Sequence, residues 1–188
     1  PKARKYDEKW LKELSNSDLF EQMSEDIATT PTDVTYDELP TEVLKKRLEK
    51  LNQKTPFNVE YNPILEQVIK SFLKNRRSSL ERLMTLSDYY FPMFEQEMSN
   101  QKIPLEMKYL AIIESALNPK ARSRAGATGL WQFMYSTGKG YGLEVNNYVD
   151  ERSDPIRSTK AAAKYLNELY KIFGDWDLTL AAYNSGPG

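Results

Sequence analysis

From Pro40 onward the apolar residues recur every three or four positions, and that period sets the order of elements. Val43, Leu44, Arg47, Leu48 and Leu51 fall on helical spacing. Asn62 and Pro63 read as a cap and a first-turn proline. Ile64, Leu65, Val68, Ile69, Phe72 and Leu73 trace a continuous face beyond them. Ser78 and Glu81 have capping-box spacing and predict a helix through Leu83, Tyr90, Phe94 and Met98, kinked but not ended by Pro92. Ile103-Pro104 opens a further helix whose Leu105, Met107, Tyr109, Leu110, Ala111, Ile112 and Ile113 make it apolar nearly all round. It should be central and buried, ending at Asn118-Pro119. Between Ala121 and Gly142 glycines 126, 129, 138, 140 and 142 break the period into a loop or very short helices. Asp154-Pro155 repeats the cap-plus-proline signal and starts a helix through Ala161, Tyr165, Leu166 and Phe173 that Gly174 stops; a last helix begins near Asp175. No period-2 alternation is sustained, so the fold class is all-α.

Residues 1–40 carry one short helix around Trp10, Leu11 and Leu14 and then polar sequence, and read as an N-terminal arm or linker. Residues 41–188 read as the domain. The 188 residues are 40% hydrophobic and 28% charged, too apolar for wholesale disorder. No apolar run approaches the roughly 20 residues that cross a bilayer, and the start has no apolar stretch of the secretory kind. Pro1 is not an initiator methionine, so a trimmed segment is expected. Residues 1–40 hold 5 Lys/Arg against 10 Asp/Glu and the remainder 21 against 17. That mild excess is far below the basic stripe of a nucleic-acid binder, and no nucleic acid partner is expected.

Two absences narrow the chemistry. Without Cys or His the chain builds no thiolate or imidazole metal site, no Cys nucleophile and no Ser-His-Asp relay. A carboxylate is the commonest acid/base that remains. Glu114 stands out. Met107, Leu110 and Ala111 lie seven, four and three residues before it, which puts an ionisable group on an apolar face. Burial there would raise its pKa and keep a proton available for donation to a leaving oxygen. The alternative is that Glu114 caps a neighbouring helix or pairs with Arg122 or Arg124.

Two further motifs are ambiguous by themselves. In Gly126-Ala127-Thr128-Gly129-Leu130-Trp131-Gln132-Phe133-Met134 an indole, an amide and a thioether stand beside two glycines. That set suits a sugar face, or equally a hydrophobic staple after a tight turn. Ala181-Ala182-Tyr183-Asn184 offers a phenol and an amide, or an ordinary helix terminus.

Together, Glu114-Ser115, Asn118-Pro119-Lys120-Ala121, Ser123, Gly126-Ala127, Gly129 to Met134 with Thr137-Gly138, and Ala182-Tyr183-Asn184-Ser185-Gly186-Pro187-Gly188 resemble the lytic transglycosylase domain of the soluble-lytic-transglycosylase type. The Leu-Trp-Gln-Phe version and Asp150-Glu151-Arg152-x-Asp154-Pro155 are similar to the membrane-bound lytic murein transglycosylase D branch. The resemblance covers about residues 57 to 188. It implies a lysozyme-like helical domain, ahead of which the earlier residues read as an N-terminal helical extension, acting on peptidoglycan glycan strands in the cell envelope, periplasmic or attached to the outer membrane. It implies non-hydrolytic cleavage of the MurNAc-β-1,4-GlcNAc bond to 1,6-anhydro ends, with Glu114 as acid and then base, and no metal or organic cofactor. Carried over by position, Ser123 and Gln132 would hydrogen-bond substrate, Tyr183 would orient Glu114 or the sugar, and Met134 and Asn184 would line the site. Trp131 would shape a subsite where other branches have Met. Membrane contact is expected only through a lipid anchor outside this segment. The family domain continues past Asn-Ser-Gly-Pro-Gly, so the domain is expected to be truncated at its C-terminus. A hydrolytic muramidase of the same fold and a non-catalytic peptidoglycan-binding module are the alternatives.

Overall fold

The structure, a computed structural model, describes residues 35–185; the short helix expected around Trp10 lies outside the described residues. Helices α1 (Thr41–Asn52) and α2 (Pro63–Asn75) form where the period places them. The Asn62 side chain accepts from the Leu65 amide at 2.8 Å, which satisfies one of the free donors at the start of α2. Leu39, Leu44 and Leu48 pack with Tyr61, Leu65 and Ile69 in a small apolar cluster of their own. Buried Glu66 pins that cluster. It accepts from the Thr41 hydroxyl at 2.6 Å and the Tyr61 hydroxyl at 2.7 Å, and pairs with Lys70 at 2.7 Å. The Lys70 bond first, then those of Thr41 and Tyr61, hold its carboxyl down to about 2.

Helix α3 (Arg77–Gln101) starts immediately after α2, with Arg76 alone between them. The capping box at Ser78 does not form. The Leu80 amide already bonds the Arg76 carbonyl at 3.0 Å, so Ser78 lies inside the first turn and no extended cap residue fits ahead of it. Pro92 sits within α3 without ending it, and Leu83, Leu86, Tyr90, Phe94 and Met98 form its buried face.

The next segment departs further from the sequence expectation. Instead of one helix to Asn118, a 3-10 turn at Leu105–Tyr109 leads into the short helix α4 (Leu110–Ser115). Nor is it buried all round. Met107, Leu110 and Ala111 face the core, but Tyr109 and Ile113 are 51% and 63% exposed. Two consecutive left-handed residues, Ala116 (φ 49°) and Leu117 (φ 61°), end the helix before the proline acts. Their amides bond back to the carbonyls of Ile112 at 2.8 Å and Ala111 at 3.3 Å, the pattern that a glycine usually supplies at a helix end. Neither residue is a glycine, so the sequence gives no such signal.

The glycine-rich stretch contains the short helix α5 (Tyr135–Gly140) and isolated bridges pairing Arg122 with Thr128 and Thr128 with Phe133. A 3-10 turn at Glu151–Ser153 precedes α6 (Pro155–Phe173). The Asp154 carboxylate accepts from the amides of Ile156 and Arg157, and Gly174 at φ 66° stops α6. Helix α7 is Trp176–Ser185. Helices α3, α4 and α6 share one large core with the glycine-rich segment, whose Trp131 ring lies 5.0 Å from that of Phe94. Among the described residues the architecture is all-α, and no helix is long and apolar enough to cross a membrane.

Candidate active site

Glu114 is the penultimate residue of α4, one turn from the buried Leu110 and Ala111. Its carboxyl is only partly exposed, and among the described residues no side chain or amide donates to it and no cation pairs with it. Neither Arg122 nor Arg124 fills that role. Burial without compensation pushes the carboxyl up to about 7, because a charge taken out of water and left unpaired is disfavoured. The group is therefore half-protonated near neutral pH, which is what a proton donor to an ether oxygen requires.

The following residue fixes Glu114 against the glycine-rich loop. Ser115 is fully buried, and its hydroxyl lies 2.9 Å from both the Ala111 carbonyl and the Leu130 carbonyl. One hydroxyl thus sits between the end of α4 and the loop. The loop has a second fastening from beneath. Arg152, 5% exposed, grips Asp150 through Nε and Nη2 at 2.9 and 2.7 Å, and its Nη1 donates to the carbonyls of Gly126 at 3.0 Å and Phe133 at 3.1 Å. The planar fork of a guanidinium suits this simultaneous hold. Gly129, at φ +89°, passes so close that an added Cβ would fall 1.8 Å from the Arg152 carbonyl oxygen.

The sequence-derived candidates lie around this frame in different ways. Ser123 turns the loop: its Oγ accepts from the Ala127 amide at 3.1 Å, and its own amide donates to the Ala127 carbonyl at 2.9 Å. Gln132 adopts a left-handed backbone at φ 47°, and its Nε2 donates to the Gly129 carbonyl at 2.9 Å and the Ala121 carbonyl at 3.3 Å. Its amide hydrogens are thus engaged by the loop. With Ala116 and Leu117, it makes three non-glycine residues in left-handed conformations in the segment around Glu114, a strain that elsewhere accompanies binding sites.

Trp131 is the correction. Its ring is 0% exposed, and Nε1 donates to the Thr159 hydroxyl at 2.9 Å in the core. An aromatic face shut inside the protein cannot stack on a sugar. What Trp131 offers instead is its carbonyl, which accepts from the Tyr183 hydroxyl at 2.7 Å. Burial, and then the charges of Glu114 and Tyr165, push the Tyr183 phenol well above its usual range. Tyr183 is thus a neutral neighbour of the acid, anchored from α7 to the loop. Met134 and Asn184 are exposed at the start of α5 and near the end of α7.

Sequence reasoning gave no role to Ser115, Arg152, Thr159 or Tyr165. Arg152 had one available signal, its i+2 spacing from Asp150 just ahead of a capped helix. Ser115 and Thr159 each also bond a carbonyl four residues back, but the partners that tie them to the loop, the Leu130 carbonyl and the Trp131 indole, come from distant parts of the chain, as do the ring neighbours of Tyr165. No group of carboxylates suited to a metal ion occurs among the described residues.

The fold and this geometry define an all-α domain built to present one desolvated, unpaired carboxylic acid beside a glycine-rich loop. The family described as Transglycosylase SLT domain matches residues 92–188, and the chain belongs to that family. Over 130 residues it is 41% identical to the membrane-bound lytic murein transglycosylase D of Escherichia coli K12, an alignment covering 69% of this chain and 28% of that protein. It is 33% identical over 105 residues to the soluble lytic murein transglycosylase of the same strain, 53% of this chain and 16% of that protein. A putative tributyltin chloride resistance protein of Alteromonas sp. strain M-1 is 37% identical over 93 residues, 49% of this chain and 45% of that protein. The chain spans little more than a quarter of the first of these relatives.

Proposed function

We propose that this chain is a lytic murein transglycosylase that acts on peptidoglycan glycan strands in the cell envelope. The relatives named for murein cleavage support the substrate, and the observation that carries the reading is the desolvated, unpaired carboxyl of Glu114 held near 7. In this reading the Glu114 carboxylic acid donates its proton to the glycosidic oxygen between MurNAc and GlcNAc. The C1–O bond breaks and its electron pair leaves with the oxygen that takes the proton. The carboxylate then removes the proton from the C6 hydroxyl of the MurNAc, whose oxygen closes on C1. The acid is regenerated, no water is consumed, and a 1,6-anhydro end results. One carboxylate serves both steps, unlike the paired carboxylates of most glycosidases. Ser123, Gln132, Met134, Tyr183 and Asn184 surround or contact the sugar in this scheme, with the Gln132 carbonyl oxygen free of the loop to accept from a ligand. Tyr183 keeps a neutral phenol beside the acid.

Mass spectrometry of the products tests the step that closes the ring. Digestion of purified sacculi is expected to give muropeptides one water lighter than those of a hydrolase, and products of hydrolytic mass would instead make the chain a muramidase. The pH profile provides a second check. Because the acid form must be present at the start, kcat/KM is expected to fall about tenfold per pH unit above about 7. A rate still rising between pH 8 and 9 would exclude Glu114 as the proton donor.

A further inference from the structure

Between Glu114 and Glu144 the chain carries no Asp or Glu but four cations, Lys120, Arg122, Arg124 and Lys139. Lys139 folds onto the Tyr135 ring. The other three alternate along one short segment: Lys120, Arg122 and Arg124 are exposed, whereas Ala121 is buried and Ser123 half-buried between them. The inner residues are hooked to the glycine-rich loop. The Ala121 carbonyl accepts from the Gly129 amide at 2.9 Å and from Gln132 Nε2 at 3.3 Å, and Ser123 bonds Ala127 through its amide and its Oγ. Arg122 forms a bridge with Thr128, so the chain is extended there and every second side chain leaves on the same side. The result is a row of cations spaced about 6–7 Å apart where the chain is extended. It runs along the outer edge of the segment whose inner side holds Ser123 and Gln132.

The protein itself leaves this charge unmatched. Among the described residues no carboxylate forms an ion pair with Lys120, Arg122 or Arg124. Asp150 feels Arg122 at longer range, but its own carboxylate is gripped by Arg152. Nor does the row serve the acid, because burial alone shifts Glu114. Neighbouring like charges repel, and an anion that bridges them relieves the repulsion. Resting on the reading of the site as one for peptidoglycan strands, we propose that Lys120, Arg122 and Arg124 bind the acidic peptide carried on the lactyl group of MurNAc, and so make the chain prefer peptide-bearing strands to bare glycan. The acetylated sugars of such a strand are neutral, and its free carboxylates lie on the peptide. The planar guanidinium groups of Arg122 and Arg124 suit a carboxylate through paired hydrogen bonds, and Lys120 adds a point charge.

Binding of the Glu114→Gln chain to fluorescently labelled strands tests the inference, with the strands either peptide-bearing or stripped of peptide by an amidase. At low salt the peptide-bearing strands are expected to bind about tenfold more tightly, and the preference should shrink to less than about twofold near 0.5 M salt, where exposed charges are screened. Adding Lys120→Gln, Arg122→Gln and Arg124→Gln together should abolish the preference at low salt. The readout is the ratio between the two kinds of strand, which a general folding defect would leave unchanged because it weakens both alike. A preference that survives the triple substitution overturns the proposal, and so does an equal loss of affinity for both strands. Cleavage by Glu114→Gln would sink a different claim, that of the proton donor. The preference is then read as the ratio of kcat/KM on the two strands, wild type against the triple variant, with the same outcomes deciding it.

Discussion

Glu114→Gln is expected to lower peptidoglycan turnover by about 10³–10⁴-fold while leaving a better-folded protein. The loss follows from the two proton transfers assigned to one carboxyl, each of the size typical of general acid-base catalysis. The gain in stability follows from the same burial. In the unfolded chain the carboxyl releases its proton near 4.5, whereas in the native protein it holds the proton up to about 7. Between those values the native state binds more protons than the unfolded state, so stability falls as pH rises through that window. The penalty is absent below about pH 4.5 and complete above about pH 7. Its ceiling is about 3 kcal/mol, and the partial exposure of the side chain reduces it. An uncharged amide escapes it. Denaturant unfolding at pH 4 and pH 8 is the measurement: near-equal stabilities at the lower pH and a variant more stable by about 1–3 kcal/mol at the higher. A variant less stable than wild type at pH 8 would mean that the carboxylate is compensated by contacts absent from this structure.

Gly129→Ala is expected to lose about 3 kcal/mol or more of stability, and activity with it. Two effects add. At φ +89° a residue bearing a Cβ is strained regardless of its surroundings, and the new methyl would overlap the backbone carbonyl of Arg152 at 1.8 Å and 2.8 Å from its oxygen and carbon. Backbone cannot step aside as the tip of a flexible side chain can. Gly126→Ala isolates the first effect. That glycine has a similar φ of +87° but nothing within 4 Å of the added atom, so it should cost only about 1 kcal/mol. Thermal or denaturant unfolding of the pair checks the difference, and equal losses would show that the approach of Gly129 to Arg152 is not tight.

The sequence made the helical core legible where local chemistry alone decides it. Asn62-Pro63 and Asp154-Pro155 marked starts, Gly174 marked a stop, and the stripe of α3 followed from spacing. It failed where long-range packing overrides local preference. The break of residues 103–117 into a 3-10 turn and a short helix, and its end at two left-handed non-glycine residues, carry no local signature. The Ser78 box lost to a helix that began two residues earlier, with Arg76 at its cap. For the site, periodicity alone isolated Glu114, since a lone acid one turn from Leu110 is visible as a break in an apolar face. Trp131 was misread because an indole beside glycines looks the same whether it faces a sugar or the core. Partners far along the chain, Thr159 28 residues away and Phe94, hold the ring in the core.

The double grip of Arg152 also sets the smallest piece of this protein that can be transplanted. The carboxyl sits on one stretch of chain and the loop beside it on another, but the carbonyls that give the loop its shape are held from a third, at Asp150 and Arg152. Grafting the motif from Glu114 to Met134 onto a foreign scaffold would leave the Gly126 and Phe133 carbonyls without their donor. Any excised piece that keeps the clamp must run at least from Leu110 to Asp154, and a cut inside that span separates the Glu114 carboxyl from the guanidinium that shapes its surroundings.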